Sequence, residues 1–370
     1  MLYLQVIGDH ELCIQFNGKS VRLAFLYGLH RHSQRFKFNK EISEERKNIW
    51  WCTYCFDILI SCNNGLPRLI NDEDVDTDLP LKINGFKPSG DKKEREAILP
   101  LPGEESNSSL FISIIKLCRI LSLIMKNLYT TTQRRNGDIK MKQLRERLNN
   151  WKSEYYEIFE CMDNNETHFH GKYYLQLLYY TCMIHLYRPG LTYPKASLSF
   201  ENCLGESLKI SEDFITLFAN HSKKFPEINF IYPCGFHLLF QSGLLILWNQ
   251  ILVVIDDCVK YTVGIDDVQK YILICSDCLK LREDDALFKY RSNIANKCGN
   301  TIQMLNKYIL SYYHTLGTSL LDENEGDKFK NINNLLNDSW NENLELINFF
   351  ELSPSFLNNS MNYNLDENIY

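Results

Sequence analysis

Three cysteines come closest to a chemical signature in this chain. Cys52, Cys55 and Cys62 are spaced C-x2-C-x6-C, the spacing of half a six-cysteine zinc cluster, and thiolates in such runs bind zinc. They lie in WWCTYCFDILISC, a continuous apolar helical stretch, and the next cysteine is Cys118. Four ligands cannot be gathered locally, so core packing is the better reading. Cys275 and Cys278 form a second C-x2-C, the spacing of a redox pair, but within the helical run YILICSDCLK and away from any βαβ context. His30/His32 and His168/His170 each offer two metal ligands and lack a third in register.

The aspartates of NDEDVDTD, Asp72, Asp74, Asp76 and Asp78, alternate like the start of a calcium loop. Thr77 stands where that loop needs Gly and Ile83 where it needs a bidentate Glu, so turn and capping chemistry explain them better. Nucleophile-elbow, phosphate-loop and dinucleotide motifs are absent. The D-D-x-x-D metal motif of a helical isoprenoid-type synthase is also missing. No catalytic, cofactor-binding or metal residue is therefore assigned, and an enzyme is not expected.

Helices must position these residues. The chain has 21 Tyr and 21 Phe against 17 Gly and 10 Pro, and few breakers among many bulky side chains favour long packed helices. Asn17 to His30 reads as a helix with Gly28 at its end or in a close contact. Ser43 is the expected N-cap of the next helix, whose stripe is Ile49, Cys52, Phe56, Leu59 and Ile60. Asn63-Asn64-Gly65 stops that helix and Pro67 prevents its resumption. An internal loop follows over about 63–109, and helices are expected at 110–132, 140–160, 172–187, 197–218, 235–256, 268–281 and 288–314. The twenty uncharged residues Phe236 to Ile255 are long enough to span a bilayer. His237, Gln241, Ser242, Asn249 and Gln250 interrupt them, and the segment reads as buried core.

Charge divides the chain. The net charge is −6 over 370 residues, but residues 322–370 hold ten acids and two lysines, leaving 1–321 slightly positive. Nothing there resembles a general nucleic-acid-binding surface. Twelve asparagines crowd 331–370, with Trp340, Phe349, Phe350 and Phe356 set among acids. Such sequence reads either as an interaction segment or as a solvated, poorly ordered tail. Thirteen cysteines, an odd number, and a start without a basic n-region point to a reducing compartment.

Specific words in the sequence go further. SVRLAFLYGLHRH, SEERKNIWWCTYCFDILIS and NGLPRLINDEDVDTDLP together closely resemble the middle homology region of fungal zinc binuclear cluster transcription factors. Arg22, Ala24, Gly28, Leu29, His30 and Arg31 match the first word of that family. Glu45, Arg46, Trp50, Trp51, Phe56 and Asp57 match the second, and Gly65, Pro67, Asp72, Asp74, Asp76, Leu79 and Pro80 the third. LQLLYYTCMIHLYRPGL, with its Arg188-Pro189 pair, followed by Cys203, is similar to a later signature. FHLLFQSGLLIL resembles the family's late apolar helix. Arg46 and Asp57 are too far apart to pair, so each is expected to hold a turn, the GLHR turn or the G-x-P turn, by charge-assisted bonds.

The resemblance implies an all-α, large multi-helix regulatory domain over 1–317, with the internal loop, and an acidic Asn-rich tail over 318–370 as an activation segment. It implies transcription regulation in the nucleus, homo- or hetero-oligomers with family members, contact of the tail with the transcription machinery, and a small-molecule effector in some members. No membrane partner is implied. Zinc and DNA readout belong in that family to an N-terminal six-cysteine cluster, which precedes the matched region and is not in this sequence. DNA binding is thus expected only through such a cluster or a partner. The alternatives are a structural or scaffold subunit, like a kinetochore complex's helical subunit, or a truncated dominant-negative paralogue.

Overall fold

In the computed structural model the described residues are 1, 4, 10–80, 105–129, 136–155, 166–224, 235–255, 265–280 and most of 296–311. The segment 81–104, the tail beyond 311 and the side chains of His168 and His170 lie outside them. The described elements are helical, as the composition predicts: α1 (His10–Leu26), α2 (Lys40–Asn63), α3 (Glu105–Leu128), α4 (Gly137–Glu154), α5 (Glu166–Tyr187), α6 (Leu198–Lys224), α7 (Gly235–Ile255) and α8 (Ile265–Leu279). No strand occurs among the described residues.

Packing runs as a relay. α1 lies on α2, α2 on α3, α3 on α4 and α5, α5 on α6, and α6, α7 and α8 on one another. One continuous apolar cluster threads all eight, from Val21 and Trp50 through Leu117, Leu178 and Phe214 to Leu239 and Cys275. Burial of this kind, rather than helix propensity, supplies most of the stability of such helices.

Two helix ends share one geometry. Gly28 (φ +64°) and Gly65 (φ +59°) are left-handed, a conformation that costs Gly nothing and other residues about 1–2 kcal/mol. Leu29 N–H then reaches Ala24 O at 3.0 Å, and Leu66 N–H reaches Ser61 O at 2.9 Å. Both helices are closed by the same C-terminal cap.

The N-terminal boundaries differ from those read in the sequence. α2 opens at Lys40, because the Asn39 side chain accepts the Ile42 N–H at 2.8 Å. Ser43 is already inside the helix, its N–H bonded to Asn39 O. α1 begins seven residues before Asn17, and α3 begins at Glu105 rather than 110. The expected stripe of α2 holds only at its C-terminal end, where Leu59 and Ile60 are buried. Ile49 is 55% exposed, Cys52 is exposed and Phe56 only half-buried. The buried face is instead Trp50, Trp51, Tyr54, Asp57, Ile58 and Ser61. α2 is apolar on nearly every side, and the face with the larger aromatic area goes inward.

The expected internal loop is only partly loop-like. Residues 64–80 form a strap tied back to the helices by a 3-10 turn at Asp72–Asp74 and several side-chain bonds. α7 is core, as its polar interruptions suggested: Leu238, Leu239, Phe240, Ile246 and Leu247 are buried, and so are Gln241, Ser242 and Asn249. Among the described residues, no helix is long and apolar enough to cross a membrane.

The Arg188-Pro189 pair ends α5 and opens a 3-10 turn, Arg188–Thr192. Gly190 in that turn lies against α6. A Cβ there would sit 2.2 Å from Cys203 Sγ, well inside contact distance. Gly190→Ala is therefore expected to lower stability by about 1–3 kcal/mol, read as a shift in urea midpoint. Cys203→Ala in the same chain should recover part of that loss, a coupling that independent sites would not show.

Candidate functional site

The three sequence words meet where α1, α2 and the strap cross. Asp57 is the centre. Its side chain is fully buried on α2, and its carboxylate accepts the Asn17 amide at 3.0 Å, the Leu69 N–H at 3.0 Å and the Ile70 N–H at 2.9 Å. α1 is thus bonded to α2, and the strap after the Gly65 cap is bonded to both. Burial raises the Asp57 pKa, and the hydrogen bonds from Ile70, Asn17 and Leu69 offset that only in part.

Arg46, eleven residues earlier, holds the other turn. Its guanidinium donates to Tyr27 O at 2.7 Å and lies over the Phe38 ring at 4.5 Å. The expectation that Arg46 and Asp57 each secure a separate turn is met, Arg46 at Gly28 and Asp57 at Pro67. Between them, Trp50 packs on Phe25 and His30, with ring centroids 5.5 and 5.8 Å apart. Trp51 donates its Nε1–H to Asp78 O at 2.9 Å.

The alternating aspartates are spent separately. Asp72 accepts from the Tyr54 hydroxyl at 2.5 Å and from Ser122 at 2.8 Å, and pairs with Arg68. Burial alone would raise the Asp72 pKa, but the bonds from Tyr54, Ser122 and Arg68 outweigh it and hold it below the usual carboxylate range. Asp76 accepts the His32 N–H at 2.8 Å and pairs with Arg35, while Asp78 meets His32 Nε2 at 2.7 Å. The backbone N–H groups of Asp76 and Thr77 both reach His30 O at 3.1 Å. The aspartates therefore stitch the strap to the Gly28 turn and to α3, with no shared centre for a cation.

The cysteines do not converge either. Cys52 faces outward, Cys55 lies as a free, buried thiol beside the free thiol of Cys118 on α3, and Cys62 is buried further along. Cys275 is buried against Leu239 O, where burial pushes its thiol well up, the opposite of a reactive thiolate. His30 packs among rings while His32 pairs with Asp78, so their side chains point to different partners. Among the described residues, no group of three or more His, Cys, Asp or Glu is placed to hold a metal.

Asn17, Tyr54, Arg68 and Ser122 belong to this centre and were missed in the sequence. Asn17 carried a signal: it falls at i+4 from Cys13 and i−4 from Val21, a lone amide in an otherwise apolar buried stripe. Ser122 had none, since its partners lie fifty residues away.

Residues 1–153 match the family model described as fungal specific transcription factor domain. The chain is 26% identical over 262 residues to the transcriptional activator protein acu-15 of Neurospora crassa, covering 65% of this chain and 27% of that protein. It is 27% identical over 257 residues to an uncharacterized transcriptional regulatory protein, C3C7.04, of Schizosaccharomyces pombe, covering 66% and 30%. An ABC-transporter-regulating transcription factor of Aspergillus fumigatus matches at 26% over 155 residues, covering 41% and 16%. No solved structure matches. Residues 1–153 are thus similar to the fungal specific transcription factor domain, the family that the three words resemble. The chain spans less than a third of the length of the first two relatives.

Asp57→Ala is expected to cost about 3–5 kcal/mol, because three buried donors lose their acceptor. Asp57→Asn should cost much less. The Asn17 Oδ1 is buried without a partner, so a flipped Asn17 can accept from the new amide while the new carbonyl keeps Leu69 and Ile70. Equal urea-midpoint losses for the two variants would sink this account.

Asp72 and Asp57 act on pH dependence with opposite signs. Asp72, depressed in the fold, contributes stability present above the unfolded value near 3.9 and lost as pH falls through its folded pKa. Asp57, raised in the fold, contributes stability present below that value and lost as pH rises through its folded pKa. Asp72→Asn should therefore flatten the fall in thermal midpoint below about pH 4, relative to the unmodified chain.

Proposed function

We propose that this chain supplies the helical regulatory part of a fungal transcription regulator that works in the nucleus on RNA polymerase II transcription. The observation that carries the reading is the crossover itself. The three family words, spread over some sixty residues, meet there and, together with Asn17, bond α1, α2 and the strap into one unit around Asp57. Their chemistry is spent on backbone and side-chain partners, which supports a regulatory body rather than an enzyme.

On this reading residues 1–317 form the regulatory domain and 318–370 the acidic activation segment. DNA is reached through a zinc cluster elsewhere in the assembled regulator or through a family partner, by homo- or hetero-oligomerisation. Fused to a heterologous DNA-binding domain, residues 322–370 are expected to activate a reporter. Replacing Trp340, Phe349 and Phe350 together by Ala should return the signal to background. A silent fusion would overturn the activation role.

A further inference from the structure

Three cysteines are ordered by depth where α2 packs on α3. Cys52 on α2 is exposed, Cys55 on the next turn is 7% exposed, and Cys118 on α3 is fully buried. All three are free thiols. Their helices are held in one register. The Tyr54 and Ser122 hydroxyls both donate to Asp72, and the Arg119 guanidinium lies 5.7 Å from the centre of the Trp51 ring. Residues 51–55 of α2 therefore face residues 118–122 of α3, with the Cys55 and Cys118 thiols in contact. Cys52 precedes Cys55 by three residues, which sets their Cβ atoms about 5–6 Å apart on the helix surface. Packing alone asks for small apolar side chains at such positions. A file of thiols from solvent to core also offers a path for oxidation.

We propose that Cys52, Cys55 and Cys118 form a thiol relay that responds to hydrogen peroxide by bridging α2 to α3. The Cys52 thiolate attacks one peroxide oxygen and becomes a sulfenic acid, and one water is released. The Cys55 thiol then attacks the Cys52 sulfur, which forms a Cys52–Cys55 disulfide and expels a second water. A disulfide holds its Cβ atoms about 3.5–4.5 Å apart, closer than one helical turn sets them. That first bridge is strained and readily exchanged. The Cys118 thiol attacks the Cys55 sulfur, Cys52 leaves as a thiol, and the Cys55–Cys118 disulfide remains. Two thiols and one peroxide have become one disulfide and two waters.

Burial raises the Cys52 pKa, while the contact with Cys118, together with burial, raises that of Cys55 well up. Thiolate is scarce at neutral pH, so the relay is slow and responds to sustained oxidation rather than to the resting state. The closed bridge joins positions sixty-three apart and encloses the whole strap. A cross-link over so long a loop strongly restricts the unfolded chain, so the oxidised protein resists release of α2 from α3.

The test exposes the full chain to excess hydrogen peroxide, blocks remaining thiols with N-ethylmaleimide in urea, and maps disulfides by mass spectrometry without reductant. A Cys55–Cys118 bridge within one chain is expected, and dithiothreitol should reverse it. Cys52→Ser, an exposed change that leaves the core untouched, should slow the bridge about tenfold or more. Cys118→Ser should instead trap the Cys52–Cys55 disulfide, and the Cys52→Ser rate decides alone where Cys118→Ser does not fold. Equal rates for Cys52→Ser and the unmodified chain would overturn the relay. Cys55 and Cys118 still blocked by maleimide after peroxide, or a bridge between two chains, would overturn it as well. So would a bridge from Cys118 to Cys182, whose thiol meets Leu117 O at 3.9 Å.

Discussion

The N-terminal half of the fold depends on one buried carboxylate. Asp57 sits on α2 where α1 and the strap meet it, and each of those two brings a donor to it. A strap that leaves a helix and runs back across it has N–H groups with no ladder to join, and each such group buried alone costs about 1–3 kcal/mol. The Asp57 carboxylate collects two of them, from Leu69 and Ile70, and the amide of Asn17 besides. The exchange is costly for the carboxylate, whose pKa is raised by burial despite three bonds. Its value is geometric: with the Gly65 cap it fixes where the strap goes next.

That placement carries the remaining contacts. Once Ile70 is held, Asp72 falls beside Tyr54 and Ser122, so the strap ties α2 to α3 through Tyr54, Arg68 and Ser122. Further on, Asp76 and Asp78 return to the Gly28 turn through His32 and Arg35. The strap thus joins both ends of the hairpin to the helix behind it. The widely spaced charged residues are explained by that route, each satisfying a different section of backbone.

Much of this could be read in the sequence, for reasons that vary by residue. Helical character followed from periodicity and scarce breakers, and so did the stop at Gly65, whereas Gly28 was equally consistent with a close helix contact and the first helix ends at Leu26 rather than His30. The separate duties of Arg46 and Asp57 followed from their three-turn spacing. The inward face of α2 did not follow, because Ile49, Cys52 and Phe56 keep the same period as Trp50, Tyr54 and Asp57. Periodicity cannot choose between two apolar stripes on one helix, and the choice is made by which one packs more aromatic area against α1 and α3. The strap was mistaken for plain loop because its order comes from long-range bonds that leave no local pattern. The Asn39 cap was passed over for Ser43, although both residue types cap well. Only the bond to the Ile42 N–H distinguishes them.

The misread stripe also bears on function. A helix that is apolar on nearly all sides belongs in the middle of a bundle, yet among the described helices α2 packs chiefly on α1 and α3. Turning Trp50, Trp51 and Tyr54 inward leaves Ile42, Ile49 and Cys52 to solvent, and α1 and the turn after it add Phe16, Leu23 and Tyr27 to the same side. Nothing in the stability of the hairpin requires those side chains, since the buried face and the Asp57 centre already secure it. Leaving roughly five large apolar groups in water promotes aggregation unless something covers them.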